Sequence, residues 1–448
     1  MTDPAERLPR TVGLFSAVAI IVGTTIGSGI FRVPATVATK LGEPGPVLLA
    51  WVLGGMLALF GALTLAELAA MYPRSGGIFA YLEEGFGPLP AFLFGWSQLT
   101  VIRASALGGI ATIFAEYLGY FVRFSPMGVR YTAAGTILVV ALINYLGVRH
   151  AARVMGVATI AKYAAMIGLV LLAFTAGDGH VANFTGNGMT TFSLSAVGAA
   201  LVSVMWAYDG WADLSYIGGE IKDPGRNFPR ALILGTVLII LVYLSLNAAY
   251  IYLVPVPQMA GERLIAATAA SRIPLLGGAG AGVVSAIVMI SCFGTLNGSM
   301  LTNPRIFFAM ADRGLFLKSV ARVSPRFQTP SVAIWLAAVL GCAYVLFNDF
   351  QQLADRFILG IWPFYIMAIG AVFVLRRRLP NAERPYRTIG YPVVPIIFLL
   401  AAGGMVVNAF VTDPMNTGVT FAILGAGVPV YYLTLGRKKG PAGVVAKP

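Results

Sequence analysis

The sequence predicts an all-α membrane protein: twelve transmembrane helices forming a 5+5 inverted repeat, with helices 1 and 6 broken at their middles. Three observations predict it. Of 448 residues, 58% are hydrophobic and 11% charged, where a soluble domain carries about 25% charged residues; mean hydropathy is +0.81. Apolar stretches of about 20 residues, each able to cross ~30 Å of hydrocarbon, recur from Val12 almost to the C-terminus. Glycine-rich interruptions fall in the first and the sixth of these stretches, five spans apart. The composition excludes a soluble enzyme, a nucleic-acid binder and a secreted disulfide scaffold.

Breaks at polar and Pro/Gly-rich clusters place the spans at about 12–40, 46–71, 89–121, 131–147, 152–176, 194–217, 229–254, 275–311, 331–348, 352–376, 392–412 and 416–436. Residues 1–11 have no cleavage-type run and read as a cytoplasmic tail. Residues 12–176 make the first five-helix repeat, 194–376 the second and inverted one, 392–436 helices 11 and 12, and 437–448 a C-terminal cytoplasmic tail. With the N-terminus inside, the inner loops collect most of the loop cations, among them Arg74, Arg149, Arg226, Arg313, Arg376 and Arg437. The outer loops hold only Lys40, Arg123, Arg130, Arg263 and Arg272. That asymmetry puts both termini inside. The net charge of +13 therefore serves orientation and contact with anionic lipid head groups rather than nucleic acid. Residues 76–86 and 312–327 are amphipathic and are expected along the cytoplasmic interface.

Unwound backbone in hydrocarbon costs several kcal/mol per unsatisfied group, so a break survives only where protein, water or a solute supplies partners. In the first span the break is Gly23-Thr24-Thr25-Ile26-Gly27-Ser28-Gly29; in the sixth it is Trp206-Ala207-Tyr208-Asp209-Gly210-Trp211. At Gly27, Ser28 and Gly29 the second half-helix begins, and its free N–H groups with the positive dipole end suit a carboxylate. The carbonyls near Thr24 and Thr25, joined by those near Trp206, Ala207 and Asp209, suit an ammonium group. Donors and acceptors so close together describe an α-amino acid zwitterion. Taken alone, small residues in span 1 equally suit close helix packing; the matching break beside Gly210 favours a site.

Lys162 sits too centrally in span 5 to snorkel easily, at a cost on the order of 2.5–3.5 kcal/mol. It is expected to bind carbonyls of the broken span 1. Such an ammonium can brace an unwound backbone without sodium, or take part in proton coupling, or act as a purely structural tie. Asp209, one turn from Asp213, could hold a cationic side chain, serve gating, relay a proton or simply cap a helix. Trp206 is placed either as a lid over a solute or as packing. Glu67, Arg305 and Glu116 are expected to snorkel at span ends, and the more central Arg103 to pair structurally. Cys292 and Cys342 lie in spans, and His150 and His180 in loops, so no disulfide, metal site or cofactor is expected and no enzyme chemistry is visible.

At these residues a family resemblance becomes specific. GTTIGSGIF (Gly23 to Phe31), WAYDGW (Trp206 to Trp211), GGEIKDPGRNFPRA (Gly218 to Ala231), GTLNGSMLTNPRIFFAMADRG (Gly294 to Gly314) and ERPYR (Glu383 to Arg387) resemble the amino acid-polyamine-organocation superfamily, closest to its L-amino acid transporter branch. The resemblance implies a LeuT-type fold and sodium-independent exchange of amino acids. It also implies a substrate carboxylate at Ser28 and Gly29, an amine at the carbonyls of Thr25, Trp206 and Asp209, Trp206 closing the outer side, and Lys162 as the span 5 lysine of sodium-independent members. Two departures stand out. Tyr120 to Arg130 lacks the cysteine that tethers a glycoprotein subunit in animal members, so a subunit-free, bacterial-type protein is expected. Asp209 replaces the glycine of many large-neutral transporters, which implies that cationic amino acids are also accepted. The expected function is an alternating-access L-amino acid transporter of the inner (plasma) membrane, working as an exchanger or with proton assistance. The alternatives are a polyamine or organocation transporter of the same fold and, from another class, a membrane-embedded enzyme or amino acid sensor.

Overall fold

The computed structural model describes residues 10–73, 76–186, 193–312, 318–327 and 329–434. The expected tails, apart from Arg10 and Thr11, lie outside the described residues, as do Arg74 and Arg313 and the side chains of Arg149 and Arg305. The regular secondary structure of the described chain is helical, with one isolated β-bridge between Val12 and Ile221. Its helices are α1 (Leu14–Thr25), α2 (Val33–Leu41), α3 (Pro44–Met71), α4 (Ile78–Phe86), α5 (Pro88–Ser97), α6 (Arg103–Leu118), α7 (Pro126–Leu146), α8 (Val148–Ala176) and α9 (Leu194–Tyr208). They continue with α10 (Pro224–Leu253), α11 (Val256–Met259), α12 (Ile265–Ala270), α13 (Gly280–Asp312), α14 (Ser331–Phe347), α15 (Phe350–Arg378), α16 (Val393–Thr412), α17 (Pro414–Gly425) and α18 (Gly427–Thr434).

Local chemistry sets several boundaries. Pro44, Pro126 and Pro224 open α3, α7 and α10 at first-turn positions, where the missing N–H costs nothing. Asp349 and Gln352 form a reciprocal capping box at the start of α15. A π turn over Gln98–Ile102 joins α5 to α6 and re-aims Arg103.

Among the described residues, seven helical stretches are long and apolar enough to cross a membrane: Pro44–Met71, Pro88–Leu118, Pro126–Leu146, Pro224–Leu253, Pro274–Thr302, Phe350–Arg378 and Val393–Thr412. Shorter apolar helices cover Leu14–Thr25, Lys162–Ala176 and Ser331–Phe347. The outward faces carry Phe15, Leu171, Leu241, Leu400 and Val411, all largely exposed, which suits a lipid surround. Inside, α3 packs on α10, α13 on α8 and α6, and α1 on α10. The amphipathic stretch 76–86 becomes α4, and buries Ile78, Tyr81 and Leu82 by packing on α15.

Two expectations fail. Glu67 and Glu116 do not snorkel. Glu67 is 1% exposed and accepts from Arg376 (2.9 and 2.6 Å) and from the N–H and hydroxyl of Thr388 (both 2.8 Å). Glu116 accepts from Arg32 Nε at 2.9 Å. Each carboxylate has a guanidinium within reach, and a buried charge paired this way avoids the cost that snorkelling would relieve.

Candidate functional site

The helix of the first span stops at Thr25. Gly27 N–H turns back to Thr25 O at 2.8 Å, and a 3-10 turn over Gly29–Phe31 leads into α2. Among the described residues, the N–H groups of Ser28, Gly29 and Ile30 meet no acceptor. Thr25 Oγ1 is buried and also unpartnered. In the sixth span α9 stops at Tyr208; Asp209 is extended and Gly210 has φ +110°, a conformation that favours glycine. A 3-10 segment over Asp213–Glu220 follows. The carbonyls of Trp206 and Asp209 meet no donor among the described residues.

The two breaks touch. A Cβ added at Gly29 would lie 3.0 Å from Ala207 Cα and 3.0 Å from Trp206 Cδ1, and one at Gly210 would lie 2.9 Å from Thr25 N and Cα. Thr24 Oγ1 reaches Gly210 O at 3.5 Å. Gly27 is the roomy position, with nothing nearer its absent Cβ than 3.9 Å. The structure thus brings Thr24, Thr25, Gly29, Trp206, Ala207 and Gly210 into direct contact, with Gly27 and Ser28 in the same turn.

Side chains from three further helices brace this junction. Lys162 Nζ, on α8, donates to Ile26 O and stands 3.5 Å from Gly23 O. The Tyr243 hydroxyl, on α10, lies 3.0 Å from Thr25 O and 2.8 Å from Ala207 O, so one proton serves both breaks. The Tyr365 hydroxyl, on α15, donates to Asp209 Oδ1 at 3.1 Å. Trp206 is 9% exposed, edge-on to Phe350 and Phe357 with centroids at 5.8 and 5.0 Å. Arg103 donates to Gln98 Oε1 at 2.7 Å, and its field reaches Asp209 and Asp213. No ion pair within 4.0 Å joins it to them among the described residues.

Sequence reasoning missed Tyr243 and Tyr365. Their only signal was a phenol placed deep in an apolar span, which demands a hydrogen-bond partner there. The structure also shows that the carbonyls of Thr25 and Ala207 are already occupied by Tyr243, which leaves those of Trp206 and Asp209 as open acceptors. Among the described residues no group of His, Cys, Asp and Glu is arranged to hold a metal.

The profile of the amino acid permease family matches residues 12–433, spanning both breaks and every brace. The chain belongs to the amino acid permease family. It is similar to the serine/threonine exchanger SteT of Bacillus subtilis (strain 168), 32% identical over 97% of this chain and 98% of the relative. It is also similar to the human b(0,+)-type amino acid transporter 1, at 33% identity over 98% of this chain and 91% of the relative. The human cystine/glutamate transporter is 30% identical over 97% of this chain and 87% of its own length. This permease is therefore a multi-pass membrane transporter of the L-amino acid transporter-like branch and not an enzyme.

Proposed function

We propose that the permease is a sodium-independent L-amino acid exchanger of the inner (plasma) membrane, with a LeuT-type arrangement of twelve spans and both termini cytoplasmic. One observation carries this reading: two touching helix breaks, one offering unbonded N–H groups at Ser28, Gly29 and Ile30, the other unbonded carbonyls at Trp206 and Asp209. A carboxylate docks on the donors, helped by the dipole of α2, and an ammonium on the acceptors. Side-chain groups of the substrate then extend past Asp209, whose charge favours a cationic end.

Lys162 takes the place that a bound cation would need, fixing the carbonyl of Ile26 by a charge-assisted bond. This supports sodium independence. Trp206, packed on Phe350 and Phe357, forms the lid toward the outer side. Alternating access then amounts to the breaks and their lid rearranging around a fixed solute. No disulfide-linked subunit is proposed, since Cys292 and Cys342 both lie within helices. A second reading, proton assistance, is favoured by Lys162 being a titratable cation held directly on the break.

The test is trans-stimulation in liposomes. Labelled L-serine should enter faster when unlabelled amino acid is loaded inside; equal entry into empty vesicles would refute exchange.

A further inference from the structure

The second break carries a charge cluster that its main-chain groups do not explain. Asp213 lies one turn beyond Asp209, at the start of the 3-10 segment, with its N–H on Gly210 O at 3.0 Å. Arg103 opens α6 directly after the π turn, and α15, which brings Tyr365, packs against both α6 and that turn. The fields of Asp209, Asp213 and Arg103 overlap there and reach the Tyr216 phenol. Each of the three charged residues is half-buried, so accessible surface remains beside them in the middle of the bundle.

Asp213 stands out because nothing holds it. Asp209 accepts from the Tyr365 hydroxyl at 3.1 Å, and Arg103 donates to Gln98 Oε1 at 2.7 Å. Among the described residues the Asp213 carboxylate meets neither a donor nor a cation within 4.0 Å. Beside Arg103, Gln98 Nε2 is also buried without an acceptor. An open carboxylate at this depth is costly unless water or a solute meets it. A purely structural arginine would close an ion pair with one of the two acids. Arg103 instead stays beyond that distance, so it subtracts charge from the cluster without covering the Asp213 oxygens. Two carboxylates and one guanidinium leave one net negative charge where a substrate side chain passes Asp209.

We propose that Asp213 and Arg103 set the charge selectivity of the site. Asp213 supplies the open carboxylate for an ammonium or guanidinium at the end of a substrate side chain. Arg103 holds the cluster at one negative charge, so that neutral side chains still enter and acidic ones are refused. The inference rests on the proposed reading of the breaks as an amino-acid site and adds to it the count of charges beside Asp209.

The test is equilibrium binding of labelled L-arginine and L-serine to detergent-solubilised full-length protein, read as the ratio of the two dissociation constants. Asp213→Asn removes the net charge and should weaken L-arginine about tenfold relative to L-serine, the scale of one partly screened charge contact. Arg103→Gln leaves two negative charges and should shift the ratio about tenfold the other way. Combining Arg103→Gln with Asp213→Asn returns one negative charge, and the ratio should return with it although both residues are gone. Arg103→Lys keeps the charge and should keep the ratio. Asp213→Asn preserves side-chain size, so its ratio decides the matter even where Arg103→Gln does not fold. An unchanged ratio in Asp213→Asn would overturn the proposal, as would equal weakening of both amino acids by Arg103→Gln or a double variant whose ratio does not return. Unsubstituted protein that binds L-serine but not L-arginine would overturn it too. Ratios that follow the charge in a protein without trans-stimulation would sink the exchange reading alone, and binding of neither amino acid would overturn both.

Discussion

The two breaks are made of different chemistry. The first is small and uncharged, and two of its exposed carbonyls are capped from outside, Ile26 O by Lys162 and Thr25 O by Tyr243, while the N–H groups of Ser28, Gly29 and Ile30 stay open. The second carries an indole and a carboxylate, and keeps the carbonyls of Trp206 and Asp209 open instead. The difference teaches how a backbone site acquires polarity. Any helix break exposes both donors and acceptors; here the protein's own side chains occupy two acceptors of the first break, which tilts its free groups toward donors. On the proposed reading, a zwitterion fits in one direction only.

The largest effect that would break this picture comes from Gly210→Ala. The new methyl combines an unfavourable positive φ with a 2.9 Å approach to the Thr25 backbone. Together these should cost about 2–5 kcal/mol, seen as a clear drop in melting temperature with loss of exchange. An unchanged melt would mean that the breaks do not lean on each other.

Next is Lys162→Ala, which leaves Ile26 O without its donor in a buried setting. A loss of about 1–3 kcal/mol is expected, with exchange slowed about tenfold at neutral pH. Unaltered kinetics would remove Lys162 from the working of the first break. Asp209→Gly should have the smallest effect on neutral substrates, and should lower uptake of L-arginine about tenfold more than uptake of L-serine, the scale of one lost charge contact. An equal effect on both would assign Asp209 to gating rather than selection.

How much of this was legible in the sequence follows from how local each signal is. Gly27-Ser28-Gly29 and Asp209-Gly210 point to breaks within a few residues: small residues alone also suit helix packing, but a carboxylate beside glycine in the matching span has no such use in hydrocarbon. Lys162 announces itself by the cost of an isolated charge. Partnership across the bundle was not legible. Tyr243 meets Thr25 across 218 positions and Arg376 meets Glu67 across 309, and such contacts depend on helix rotations that no local pattern states. Glu67 was expected to snorkel because it stands near a span end; the segment carrying Arg384 and Thr388 folds over that end and buries it instead.

The most direct test of the central claim is exchange by Gly27→Leu in liposomes. A side chain at Gly27 has room, with no heavy atom within 3.9 Å of the new Cβ, so the fold should hold and melting should match that of the unsubstituted protein. The added isobutyl group would occupy the space beside the donors of Ser28 and Gly29. Exchange should fall at least about a hundredfold, equivalent to ~2.7 kcal/mol of lost binding. Normal exchange from a normally folded Gly27→Leu protein would contradict the claim that the solute lies between the breaks.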